Sequence, residues 1–106
     1  INDKSDGNFS IAKITITSPN GGEFLQAGDV LPILWQSYNV DNATIQYSDD
    51  NGVTWQTITN NVQASLGQYN WTIPNSLSTT TFLIRIIDND FNTVHDISDA
   101  TANVFY

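Results

Sequence analysis

Apolar and polar residues alternate along most of this chain with a period of two, the pattern of half-buried β-strands. Lys13-Ile14-Thr15-Ile16-Thr17 is the cleanest such run. Leu31, Ile33 and Trp35 share one face of the next, with Pro32 on the other face, where its missing N–H suits an edge or a strand start. Residues 43–48 and 53–59 carry Ile45/Tyr47 and Trp55/Ile58 on either side of a polar turn. Residues 68–73 place Tyr69, Trp71 and Ile73 in phase before Pro74. In residues 81–88, Phe82, Ile84 and Ile86 alternate with Leu83, Arg85 and Ile87, so both faces are covered and the strand is central. An Asp/Asn-rich loop then leads to a last strand around residues 102–106.

No segment shows helical periodicity with caps. About seven short strands at this spacing predict an all-β, two-sheet, immunoglobulin-like or fibronectin-III-like sandwich. The predicted core is Ile14, Ile16, Leu31, Ile33, Trp35, Ile45, Tyr47, Trp71, Phe82, Ile84 and Ile86. Residues 1–12 are polar and weakly patterned and are expected to be a tail or linker, leaving residues 13–106 as one domain.

Composition narrows the function classes. Asp and Glu number 11 against three Lys and Arg, a formal charge of −8, and Glu23 is the only Glu. Asp favours turns, so the bias fits acidic loops between strands. Lys4, Lys13 and Arg85 cannot build the basic footprint that nucleic acid requires. No run is long enough to cross a bilayer as a helix. With no Cys there is no disulfide, thiolate metal site or Cys nucleophile. His95 is the only histidine, and its neighbours Asp96 and Ser98 are adjacent in sequence, which is not triad geometry. The expectation is a protein that is not an enzyme.

Between two of the strands lies Ser48-Asp49-Asp50-Asn51-Gly52-Val53-Thr54-Trp55. Asn and Gly tolerate the positive φ of a tight hairpin turn. Asp50 can accept turn N–H groups, and Trp55 can lie back over the turn as a lid. The spacing of Ser48, Asp50, Gly52, Thr54 and Trp55 resembles the Asp-box, a hairpin motif of sialidase-type propellers and other extracellular β-proteins. That resemblance implies an architectural role.

Three aromatics, Phe24, Tyr38 and Phe91, fall out of phase or in loops. They are the candidates for stacking on a sugar ring, against the alternative of loop anchors. In the segment 88–99, Asp88, Asp90, Asn92, Asp96 and Asp99 stand at positions 1, 3, 5, 9 and 12 of an EF-hand-like count. The glycine of that motif is replaced by Thr93, its final Glu by Asp99, and the flanks are strands. Two readings stay open: a looser Ca²⁺ site between strands, and a solvated loop whose Asp side chains serve turns.

The order of motifs adds one resemblance. Ile14 to Glu23 with its Pro-Asn-Gly-Gly-Glu loop, then Gly28, Ile33-x-Trp35, Ile45-x-Tyr47-Ser48 through Trp55, Tyr69-x-Trp71-x-Ile73-Pro74 and Ile84-Arg85-Ile86-x-Asp88 resemble one module. It is the Ser-Thr-rich, immunoglobulin-like and fibronectin-III-like domain of secreted bacterial multidomain proteins and fungal wall proteins. The likeness spans residues 13–106. It implies a secreted or cell-surface location and a non-catalytic accessory role as spacer, adhesion or interaction domain beside neighbouring domains. The alternative is a carbohydrate-binding module that meets polysaccharide through loop aromatics, with or without structural calcium. A surface protein is the other partner class, and no cofactor is required.

Overall fold

The alternating runs fold as nine strands within residues 12–90 and 94–105, the parts that the computed structural model describes. They are β1 (Lys13–Ser18), β2 (Phe24–Gln26), β3 (Val30–Tyr38), β4 (Asn42–Ser48), β5 (Gln56–Gln63), β6 (Gln68–Thr72), β7 (Thr79–Asp88), β8 (His95–Ile97) and β9 (Ala102–Phe105). A 3-10 turn at Ala64–Leu66 joins β5 to β6. The first sheet has the order β1-β3-β6 and the second the order β2-β9-β7-β4-β5, with β8 also on β7. The domain is an all-β, two-sheet sandwich.

Strand β7 is central, as its two apolar faces predict. It pairs with β4 along one flank, and with β9 and then β8 along the other. The expected number of strands, about seven, is exceeded by two three-residue edge strands, β2 and β8. Strand β8 lies inside the stretch expected to be loop. The second hairpin strand begins at Gln56 and runs to Gln63, later at both ends than the expected residues 53–59. The turn claims the residues up to Trp55.

Pro32 sits in β3, the middle strand of its sheet. The N–H groups of Trp35 and Ile73 donate to Gly67 and Asp29 carbonyls, so odd-numbered residues of β3 bond to β6. The nitrogen of Pro32 therefore faces the other flank, where pairing with β1 starts only at Leu34. The strand is central, yet locally an edge, and no ladder bond is lost.

The core lies between the sheets. Ile14, Ile16, Leu31, Ile33, Trp35, Ile45, Phe82, Ile84 and Ile86 are buried as the alternation predicts. The Trp35 indole N–H donates to the Ala64 carbonyl at 2.9 Å, which satisfies its one polar atom. Tyr47 and Trp71 are only half-buried, contrary to the core expectation. Trp71 belongs to edge strand β6, so neighbours cover it on one side only. Its ring meets Tyr47 at a tilt, with centroids 4.9 Å apart, and stacks on Phe82 at 6.0 Å. Val40, Ala43, Val62, Ala64, Ile73, Leu77, Ala102 and Val104 complete the core.

Candidate functional site

Ser48, Asp50, Gly52 and Thr54 assemble as one hydrogen-bonded turn between β4 and β5. Ser48 ends β4 fully buried, and its hydroxyl donates to Asp50 Oδ1 at 2.6 Å. The same oxygen accepts the N–H of Gly52 at 2.8 Å and that of Asp50 at 3.3 Å. Asp50 Oδ1 also accepts the Thr54 N–H at 2.9 Å, and Oδ2 accepts the Thr54 hydroxyl. Asn51 and Gly52 take the left-handed backbone that the turn needs, with φ of 63° and 86°. The Ser48 hydroxyl, followed by the Thr54 hydroxyl and N–H, holds the Asp50 carboxyl down at about 2.

A Cβ placed on Gly52 would lie 3.6 Å from both Leu83 and Trp55, so those side chains converge on the turn. Trp55, partly buried, packs against the turn at Gly52. The Arg85 guanidinium lies 4.2 Å from its ring centroid, and Arg85 Nε donates to Gln46 Oε1 at 3.0 Å. Burial lowers the pKa of Arg85. A half-buried cation is thus stabilised by an indole face and an amide oxygen.

A second turn of the same kind lies at residues 19–23. The N–H groups of Asn20 and Gly21 donate to Glu23 Oε2 and Oε1, both at 2.8 Å. The Gly22 N–H donates to the Thr101 carbonyl and the Ala100 N–H to the Asn20 carbonyl. Gly21 lies so close to this stretch that an added Cβ would meet Ala100 Cβ at 2.5 Å. The only Glu of the chain is therefore a turn cap, a role that its place three residues after Asn20 could have signalled.

Among the described residues of the acidic segment, Asp88, Asp96 and Asp99 take separate partners. Buried Asp88 accepts the Asp90 N–H at 2.9 Å. Asp96 Oδ2 accepts the Ile16 N–H at 2.8 Å and so ties β8 of one sheet to β1 of the other. Exposed Asp99 donates its N–H to Asn20 Oδ1 at 3.1 Å. Ser98 is buried, accepts the Ile84 N–H and donates to the Pro19 carbonyl. Among the described residues no three of His, Cys, Asp and Glu come together in a way that could hold a metal ion. Asn92 and Phe91, two of the candidates, lie outside the described residues.

The two remaining stacking candidates, Phe24 on β2 and Tyr38 at the end of β3, are solvent-facing and border different grooves. Phe24 is 77% exposed and stacks on Phe105 at 6.2 Å with planes 10° apart. It borders a shallow groove of about 300 Å³ with Val30, Pro32, Gln26 and Asp29. Tyr38, 65% exposed, borders a smaller groove of about 190 Å³ with Lys13, Thr15 and Gln36. Sequence reasoning missed Phe105, because it falls in phase with the outer face of a terminal strand. No protein-family model matches this chain, and no curated protein matches it.

Proposed function

We propose that this domain is a non-catalytic accessory module of a secreted or cell-surface multidomain protein, serving as a spacer and interaction domain beside its neighbours. One observation carries the reading. The side-chain oxygens of Ser48, Asp50, Glu23, Asp96 and Ser98 each accept a backbone N–H of a turn or a strand. A carboxylate or hydroxyl so engaged stabilises architecture, and the sequence likeness to accessory domains agrees. The purified domain is expected to turn over no glycoside, ester or peptide substrate. Turnover that Asp50→Asn or Asp96→Asn abolishes, with the fold intact, would refute the reading.

A second reading is supported by the exposed Phe24–Phe105 pair, whose nearly parallel rings suit the CH faces of a sugar chain. On this reading the domain is retained on insoluble neutral polysaccharide, Phe24→Ala and Phe105→Ala abolish retention, and Tyr38→Ala leaves it unchanged. Passage of the unaltered domain through cellulose, chitin and β-glucan resins without delay would leave the spacer reading alone.

A further inference from the structure

Asn-Gly occurs twice in this chain, at Asn20-Gly21 and Asn51-Gly52, and both pairs fall in the turns described above. Asn-Gly is the dipeptide most open to spontaneous deamidation. The glycine nitrogen attacks the asparagine side-chain carbonyl, and the absence of a Cβ leaves that approach unhindered. The N–Cγ bond forms, the amide proton passes to a base, and ammonia leaves to give a cyclic imide. Water then opens the ring to aspartate or isoaspartate. Under neutral conditions the step needs no other reactant.

In both turns the attacking nitrogen is already engaged. Gly52 N–H donates to Ser48 Oγ at 2.8 Å, and Gly21 N–H donates to Glu23 Oε1 at 2.8 Å. Ser48 is fully buried, and its hydroxyl is oriented by its own donation to Asp50. The hydrogen bond must break and the turn must rotate before either nitrogen can reach a side-chain carbonyl. We propose that Asn51-Gly52 is a latent deamidation site held shut by Ser48, and that Glu23 holds Asn20-Gly21 shut in the same way. Opening the first site would place a new carboxylate, or an extra backbone methylene, between Asp50 and Gly52, next to the carboxylate that the turn is built around.

The test incubates the full chain in warm, mildly alkaline buffer and follows each asparagine by peptide mass spectrometry. The chain unfolded in denaturant supplies the reference rates. The folded protein is expected to deamidate far more slowly than the reference at both sites. Ser48→Ala should raise the rate at Asn51 about tenfold, the factor that one hydrogen bond of ordinary net strength supplies, and leave Asn20 unchanged. Glu23→Ala should do the reverse, and Ser48→Thr, which keeps the hydroxyl, should restore protection at Asn51. Each site is the clock for the other, because global unfolding accelerates both. Equal acceleration of the two sites in either variant would overturn local gating, as would a folded protein that deamidates at Asn51 at the unfolded rate.

Discussion

The turn from Ser48 to Thr54 and the acidic segment from Asp88 to Asp99 have nearly the same chemistry, yet they work over different distances. In the turn, Ser48, Asp50 and Thr54 satisfy one another within seven consecutive residues. In the segment, Asp96 reaches Ile16, Asp99 reaches Asn20, and Ser98 reaches Pro19, each about 80 positions away along the chain. The first is a hairpin whose side chains close on one another, with the Asp49 and Asn51 backbone reaching Thr79 and Thr81 of β7, whereas the second is a clasp that fastens the edge of the second sheet to β1 and the loop after it. A run of acids with regular spacing therefore has two meanings. Spacing in a tight turn fixes local partners, whereas acids in and after a short strand take the partners that the packed sheets bring to them.

The contrast can be broken at the clasp first. Gly21→Ala introduces a Cβ 2.5 Å from Ala100 at a φ of 130°, and should destabilise the fold by about 3 kcal/mol in urea unfolding. Asp96→Ala leaves the Ile16 N–H without its acceptor, and should cost about 2 kcal/mol. Gly52→Ala is milder, because its Cβ would find ordinary 3.6 Å contacts and only the left-handed φ opposes it. About 1 kcal/mol is expected. If Gly52→Ala proved costlier than Gly21→Ala, the hairpin rather than the clasp would dominate stability.

Acid sharpens the comparison further. The Asp50 carboxyl is held at about 2, below its ordinary value of 3.8, so its contribution is fully present above about pH 4 and is lost as the pH falls through about 2. Asp50→Asn should flatten that part of the melting-temperature profile and leave the profile above it unchanged. The smallest effect concerns metal. Millimolar Ca²⁺ is expected to leave the melting temperature unchanged after chelator treatment at constant ionic strength, because Asp88 and Asp96 already accept backbone N–H groups. A rise that Asp90→Asn removes would put a cation in the segment and make its side chains converge locally as those of the hairpin do.

The legibility of the sequence follows the same divide. Alternation located β1, β3, β4 and β7 and the core residues they bury, because period two is a local property. The turn after β4 was legible because the side-chain bonds of Ser48, Asp50 and Thr54 all close within seven residues. Strand β8 was not, since three residues pair only because β7 offers an open flank. The linkage of Asp96 to Ile16 was invisible for the same reason, as no local pattern encodes a partner in another sheet. Trp71 shows the limit of phase. Its face was read correctly, but its half-burial depends on β6 being an edge.

The parallel pairing of β2 with β9 has a mechanical consequence. Phe24, Leu25 and Gln26 run alongside Asn103, Val104 and Phe105 in the same direction. Backbone bonds from Gly22 to Thr101, Asn103 to Glu23 and Ala27 to Phe105 stitch the two segments together. Tension applied through the chain on either side pulls β2 backwards and β9 forwards. The bonds between them are then strained together in shear, and cannot peel open one after another as they would in an antiparallel hairpin pulled at its open end. The short strand that alternation barely registers is the point at which a stretched domain of this topology resists extension.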